Sequence, residues 1–452
     1  MIDEDGCTER RPGHEVKPCR CYFDCGNTDA TGNTVESAEW GHQRQLTRPV
    51  STSVQVARFP NDRPPTRPER RTMRILYLID SLAPGGAETS LVALAPHLIA
   101  GGVELEVGYF VDRPGLQQQL RTAGARVTLL GNEGGRRSRV ARVRTLVVDR
   151  RPQLVHTTLF EADVAGRVGA RLARTPVVTS LVSDAYGRSH RDADQLGWRL
   201  RAAHGLDALT AQLARRFHAN SELVATNMSR RLGVPRSRID VVVRGRDATA
   251  FAARPAERRA QVRASLRLTD QPMVLAVGRQ EPAKGLDVLI KAVPALRAAM
   301  PELRVLIAGR EGAHSSHLRQ LVDNHCLSDV VTFLGQRDDV ADLLSAADVL
   351  AFPSLREGFP GTLVEALAVG CPIVATDHPN VREAVGDCAA ALVRANDPGD
   401  LADGLRRAIQ YPDRARQLVL LGQRRFESMF TIEQSAAGML AFYERSLRHS
   451  RP

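Results

Sequence analysis

From Met73 onward, short apolar runs rich in β-branched residues alternate with stretches of helical period, and the alternation occurs twice over. The first series comprises Arg74–Ile79, Glu104–Phe110, Val127–Leu130, Leu154–Thr158 and Pro176–Leu181, and closes with His218–Ser221 and Ile239–Val243. The second comprises Met273–Val277, Arg304–Ala308, Val330–Leu334, Val349–Phe352, Pro372–Ala375 and Ala391–Val393. Strands apolar on both faces need cover on both faces, and intervening helices supply it through parallel crossovers. The pattern therefore predicts an α/β protein of two doubly wound parallel-sheet, Rossmann-like domains. Ligands of such sheets bind beyond the carboxyl ends of the strands, so a central cleft is expected where the two domains face each other.

A length of 452 residues suits two domains of ordinary size plus an appendage. Residues 1–72 are rich in Arg, Pro, Thr, Asp and Gly without apolar period, and are expected to be a disordered tail. Met73 opens a clean strand, so the upstream stretch is either an unstructured arm or an extension ahead of the true start. The first domain is placed at 73–250 and the second at 251–430, with the polar, Arg-rich stretch Arg246–Gln271 between them. Residues 431–452 form a last helix, Ile432–Leu447, expected to pack back on the first domain.

The formal net charge is +11 and is carried by arginine, since the only lysines are Lys17, Lys284 and Lys291. Genomic codon bias explains such a balance, and so does attraction to anionic partners such as a nucleotide-sugar, a lipid phosphate or an acidic membrane face. Nucleic acid is not expected, because aromatics are scarce and no recognition motif is present. No run approaches the roughly 18 apolar residues of a membrane helix, and the N-terminus lacks the apolar core of a signal peptide. A cytoplasmic location follows, with peripheral contact at the inner membrane face allowed. Cys7, Cys19, Cys21 and Cys25 fall in the tail, and Cys326, Cys371 and Cys388 are widely separated, which argues against a disulfide framework. Cys19, Cys21, Cys25 and His14 match no common zinc spacing, and no metal is expected.

The chemistry concentrates in Glu357-Gly358-Phe359-Pro360-Gly361-Thr362-Leu363-Val364-Glu365. One carboxylate lies in a strand-to-helix loop and the other inside the following helix. The helix start between them offers free N–H groups to an anion. Taken alone, the pair also fits a capping acid plus a helix-surface acid. Strand Met273–Val277 ends in Gly278-Arg279 and, after four residues, Lys284-Gly285. Two fixed cations there would neutralise a diphosphate, although a solvated loop would look the same. Gly309 and Gly335-Gln336-Arg337 end the next two strands, and such turns let a nucleotide lie across the sheet edge. In the first domain, Pro84-Gly85-Gly86-Ala87-Glu88 follows the first strand and opens a helix, where backbone can approach a donor phosphate or an acceptor.

Gly278-Arg279-x4-Lys284-Gly285 followed by Glu357-x7-Glu365 resembles the retaining glycosyltransferases of family 4, which have the GT-B fold. The resemblance covers about residues 73–447 and includes the Gly-Gly-Ala-Glu turn. It implies a retaining enzyme that moves a hexose-type sugar from a nucleotide-sugar to an acceptor hydroxyl, in glycan, glycolipid or cell-envelope polysaccharide synthesis. Glu357, Arg279 and Lys284 would be the catalytic residues. Arg279 and Lys284 would contact the donor diphosphate, Glu357 the sugar hydroxyls, and Glu365 the ribose. N–H groups from Gly358 to Gly361, with Thr362 and Leu363, would face sugar and phosphate, and backbone near Arg337 the base. The partners implied are a UDP- or GDP-sugar and a glycan or lipid-linked acceptor, with no cofactor and no metal. Two positions depart from the family pattern. Many members carry a histidine after the strand equivalent to Pro176–Leu181, where this chain has Val182-Ser183-Asp184. His156 is the nearest alternative on the acceptor side. Val243-Arg244-Gly245-Arg246 replaces a more usual Asn-Gly, so Arg244 is either a phosphate contact or an interdomain ion-pair partner. A nucleotide-sugar epimerase of the same architecture, or an inactive relative that only binds the nucleotide-sugar, remain rival readings.

Overall fold

The computed structural model describes residues 72–184, 186 and 197–448. The tail expectation for residues 1–71, and the cysteine–histidine cluster within it, lie outside the described residues.

Strands β1 (Met73–Ser81), β2 (Val103–Val111), β3 (Arg126–Leu129), β4 (Leu154–Thr158), β5 (Val177–Leu181), β6 (Arg216–Ala219) and β7 (Ile239–Val241) form one sheet. Its order is β3-β2-β1-β4-β5-β6-β7. Strands β8 (Met273–Val277), β9 (Arg304–Ala308), β10 (Val331–Gly335), β11 (Val349–Phe352), β12 (Ile373–Thr376) and β13 (Ala391–Val393) form the second, ordered β10-β9-β8-β11-β12-β13. The pairings are parallel, with Ile75 opposite both Leu105 and Leu154, and Leu275 opposite both Leu306 and Leu350. The expected doubly wound α/β architecture is therefore present in both halves. In each sheet the order reverses beside its first strand, between β1 and β4 and between β8 and β11. Loops leaving those strand ends diverge to opposite faces and leave a crevice for a ligand.

The reason for the alternation is visible in β8, buried on both sides. Met273 and Leu275 join the cluster containing Phe352, Leu363 and Val381, while Val274 and Ala276 join the one containing Leu289, Val293 and Ile307. The last helix, Ile432–Arg448, buries Met439, Phe442 and Tyr443 with Ile79, Leu91 and Val107 of the first sheet. The chain thus returns to its first sheet after building the second.

The Arg-rich stretch Arg246–Gln271 is more ordered than an interdomain connection requires. It holds the helix Ala256–Ser265, whose Val262 belongs to the second domain's core together with Leu268. Arg259 and Arg263 donate to the carbonyls of Ala347 and Ala346 at 3.0 and 2.9 Å, closing the end of the helix Val340–Ala346. Aliphatic arginine stems pack as apolar surface, so composition hid the helix. Asn220 and Ser221 lie beyond β6: Ser221 is the N-cap of the helix Glu222–Leu232, its hydroxyl accepting from Val224 N–H at 3.1 Å. No described helix is long and apolar enough to cross a membrane.

Candidate functional site

The loops leaving β8 and β11, the two strands at the reversal of the second sheet, carry Arg279, Lys284 and Glu357. Their backbones are tied together where Leu355 N–H donates to the carbonyl of Ala283 at 2.9 Å. Gly285 sits at φ +61°, and a methyl group there would lie 2.2 Å from the carbonyl oxygen of Pro353, so both conformation and space demand glycine. Gly278 and Gly309 stack backbone on backbone beside it, with Gly278 N–H bonded to Ala308 at 2.9 Å.

Lys284 Nζ meets Glu357 Oε1 at 2.6 Å, with the ammonium over the Phe352 ring. The structure therefore joins a cation and a carboxylate that are 73 positions apart in the chain. Arg279 is exposed, and its side chain makes no hydrogen bond or ion pair among the described residues. The Glu357 loop is held from outside the motif by buried Asn380, whose amide donates to the carbonyls of Glu357 and of Gly358, the latter at 2.8 Å. Phe359 is buried against Phe430, ring centroids 6.0 Å apart, and Pro360 leads into the helix Gly361–Val369. That helix has no side-chain N-cap. Thr362 N–H finds no acceptor among the described residues, and Leu363 points into the core. The ion pair and the uncapped helix start thus lie beyond the end of β11, and exposed Arg279 follows the neighbouring strand β8.

Glu365 is not free. Its Oε1 accepts from Arg246 Nε at 2.7 Å, and a methyl group at Gly361 would meet the other end of that guanidinium at 2.3 Å. Arg246 is anchored in turn by its backbone, which exchanges hydrogen bonds of 2.8 and 2.9 Å with Phe430 and Ile432. Arg337 clasps Asp339 bidentately at 2.8 and 2.6 Å, so its side chain is engaged.

The first domain meets this loop directly. A methyl group at Gly358 would lie 2.8 Å from the carbonyl oxygen of Val182, so the segment that stands where a histidine was expected touches the Glu357 loop. Asn220 Nδ2 donates to the same carbonyl at 2.9 Å. Glu383 of the helix Pro379–Val385 accepts from Glu222 and Leu223 N–H, at 2.5 and 3.3 Å, and so caps the first domain's helix Glu222–Leu232.

Gly85 and Gly86 begin the helix Gly86–Ala100. A methyl group on Gly86 would lie 3.1 Å from Arg244, and one on Gly85 would lie 2.5 Å from Glu88. Burial pushes the Glu88 carboxyl up, opposed by its own N–H, by Arg244 and by Arg310 at the end of β9. Arg244, by contrast, is held down to about 10 by burial and by neighbouring Arg246.

His156 requires a correction. It is wholly buried in the first domain, with both ring nitrogens engaged, and faces no site. Its Nδ1 lies 2.8 Å from the Tyr443 hydroxyl and its Nε2 2.7 Å from Ser180 Oγ. Ser180 Oγ is 2.8 Å from His218 Nδ1, and His218 Nε2 donates to the Val242 carbonyl at 2.9 Å. One proton direction satisfies the row: Tyr443 to His156, His156 to Ser180, Ser180 to His218, His218 to Val242. Burial depresses both imidazoles, His218 to about 4, so both are neutral. A single histidine within β4 gave no sign of a second histidine two strands away. The residues passed over were Asn380, Glu383 and Arg246, none of which carries a local motif, and Glu88, which sits inside a turn singled out for its glycines.

Two doubly wound parallel sheets in one chain are the architecture of the GT-B fold. Known proteins agree: a model described as Glycosyltransferase Family 4 matches residues 84–250, and one described as Glycosyl transferases group 1 matches residues 257–424. The chain belongs to glycosyltransferase family 4. It is 36% identical over 252 residues to a D-inositol 3-phosphate glycosyltransferase of Mycolicibacterium smegmatis, covering 53% of this chain and 56% of that protein. It is 35% identical over 246 residues to the protein of the same name from Nocardia farcinica, covering 52% and 53%. The chain thus spans about half the length of these relatives. Among solved structures, HepE of Anabaena in complex with UDP-glucose superposes with a TM-score of 0.72 at 23% identity, covering 82% of this chain and all of that one. A sucrose-phosphate synthase from Thermosynechococcus elongatus gives 0.68 at 23% identity, covering 84% and 100%. These two likenesses concern the fold.

Proposed function

We propose that this chain transfers a hexose-type sugar, with retention of configuration, from a UDP- or GDP-sugar to an acceptor hydroxyl, in the synthesis of a glycan, glycolipid or cell-envelope polysaccharide. The observation that carries this reading is the Lys284–Glu357 ion pair of 2.6 Å, beside unpaired Arg279 and an uncapped helix start at the reversal of the second sheet. The solved Anabaena relative in complex with UDP-glucose supports the choice of donor class.

The chemistry follows from charge. Breaking the bond between the anomeric carbon and the diphosphate oxygen builds positive charge on the sugar and negative charge on the diphosphate. Arg279, Lys284 and the N–H of Thr362 stand ready to offset the negative charge. The departing phosphate oxygen takes the acceptor's proton on the same face as the acceptor attacks, so no protein base is required. That accounts for a site in which Val182 stands where many relatives have a histidine. Glu357, oriented by Lys284, presents its second oxygen to sugar hydroxyls. Glu365 takes the ribose hydroxyls alongside Arg246.

A thermal-shift screen of UDP-, GDP- and ADP-sugars tests the donor. A true donor at a hundred times its Kd adds about 2.7 kcal/mol of stability. Lys284→Ala should cut donor turnover about a hundredfold, by analogy with the loss of an oxyanion donor. Unchanged turnover in that variant would refute the assignment. Incubation with donor alone separates transfer from epimerisation, because an epimerase converts the donor without an acceptor.

A further inference from the structure

We propose that Arg244 binds an anionic substituent of the acceptor, a phosphate ester or a carboxylate, inside a cavity of the first domain. This rests on the transfer reading above and adds to it the charge of the acceptor.

The cavity has a volume of about 50 Å³ and lies between the helix Gly86–Ala100, strands β1, β5 and β6, the segment Val242–Gly245 and the helix Ile432–Arg448. Tyr77, Ser90, Ser180, His218, Ser435 and Arg244 contribute its polar lining, and Ser90 donates to the Gly86 carbonyl at 2.7 Å. A cavity of that size has room for several water-sized groups or a small oxyanion.

The other polar groups on its wall are already engaged. Tyr77 is bonded to Thr158 at 2.6 Å, Ser180 joins His156 to His218, and Ser435 donates to the Val243 carbonyl at 2.9 Å. Arg244 makes no hydrogen bond or ion pair among the described residues, although its guanidinium carries five donors in a fixed fork. The nearby carboxylate, Glu88, forms no ion pair with it, is itself destabilised by burial, and is shared with Arg310. Arg246 adds a like charge but is neutralised by Glu365. The local sum around the cavity is therefore positive, and the one uncommitted group is the one suited to bidentate recognition of an oxyanion. The donor diphosphate has its own cations, Arg279 and Lys284, on the second domain. Arg244 stands on the first-domain wall beside Gly86, away from those two cations in the chain and at the other sheet.

The test uses the full chain saturated with UDP, titrated with inorganic phosphate or with acetate against chloride of equal ionic strength, and read by thermal shift. Phosphate, acetate or both should raise the melting temperature of the wild type saturably. R244Q should weaken that response at least tenfold while leaving the response to UDP unchanged, and R279Q should leave the phosphate response intact. R244K keeps the charge but loses the fork. It should show a several-fold weaker response, and it decides the matter if R244Q does not fold. The proposal is overturned if neither anion stabilises the wild type beyond chloride, if R244Q or R244K responds as the wild type does, or if UDP or R279Q abolishes the response, which would put the anion in the donor site. Failure of UDP itself to stabilise the protein would strike the donor reading instead, and the anion response of R244Q against wild type would still be readable.

Discussion

At the residue scale, the buried row Tyr443, His156, Ser180 and His218 shows how a polar network fixes where a helix docks. Tyr443 belongs to the last helix, and its hydroxyl is the donor at the head of the row. Tyr443→Phe leaves His156 Nδ1 buried without a partner and should cost about 1–3 kcal/mol, measured by urea denaturation. The row also titrates. His218 has a folded-state pKa of about 4 against an ordinary value of 6.5. Between those values the unfolded chain holds the proton and the folded chain does not. Its contribution is thus fully present above pH 6.5 and is lost as pH falls toward 4, by about 3 kcal/mol at 1.36 kcal/mol per unit. Asp80 and Asp163, raised by burial to about 6 and about 7, act in the opposite sense over a similar range. The clean readout is therefore a comparison: a folded His218→Gln variant should lose less stability than the wild type between pH 6.5 and pH 4.5. Equal losses would show that His218 is not neutral by burial.

At the element scale, the site depends on joints between secondary structures that no single segment encodes. Glu383 reaches from one domain to cap a helix of the other, accepting from two N–H groups. Glu383→Ala should cost about 1 kcal/mol, visible as a lower melting temperature, and Glu383→Gln should recover part of it. Gly285→Ala should cost more, because φ of +61° and the Pro353 carbonyl both oppose a methyl group. The strands themselves were legible, since β8 and β11 are apolar on both faces and end at Gly278 and Pro353. So were Arg279, Lys284 and Glu357, which stand in short loops directly after those strands. The partnership of Lys284 with Glu357 was not, because it depends on the reversal of strand order that brings two distant loops together. The helix Ala256–Ser265 was hidden by arginines whose heads bind carbonyls while their stems pack. His156 misled because it lies in the middle of β4, where the last helix covers it and Tyr443 engages its ring.

At the scale of the whole molecule, the chain closes on itself: the helix Ile432–Arg448 belongs to the first domain's core although it follows the second. Phe442 and Tyr443 are wholly buried there. Losing a buried aromatic side chain costs about 3–5 kcal/mol, so a truncation after Thr431 removes stability comparable with that of an entire domain. Such a truncation should be insoluble or lack a cooperative melting transition by circular dichroism. On the proposed reading, the loops after β8 and β11 form a diphosphate site through Arg279 and Lys284. Calorimetric titration of the full chain with UDP tests it most directly, with R279Q and K284Q measured beside the wild type. Each substitution should weaken binding about tenfold or more, and the wild-type affinity should fall with added salt. UDP affinity equal to that of the wild type in both variants would contradict the claim.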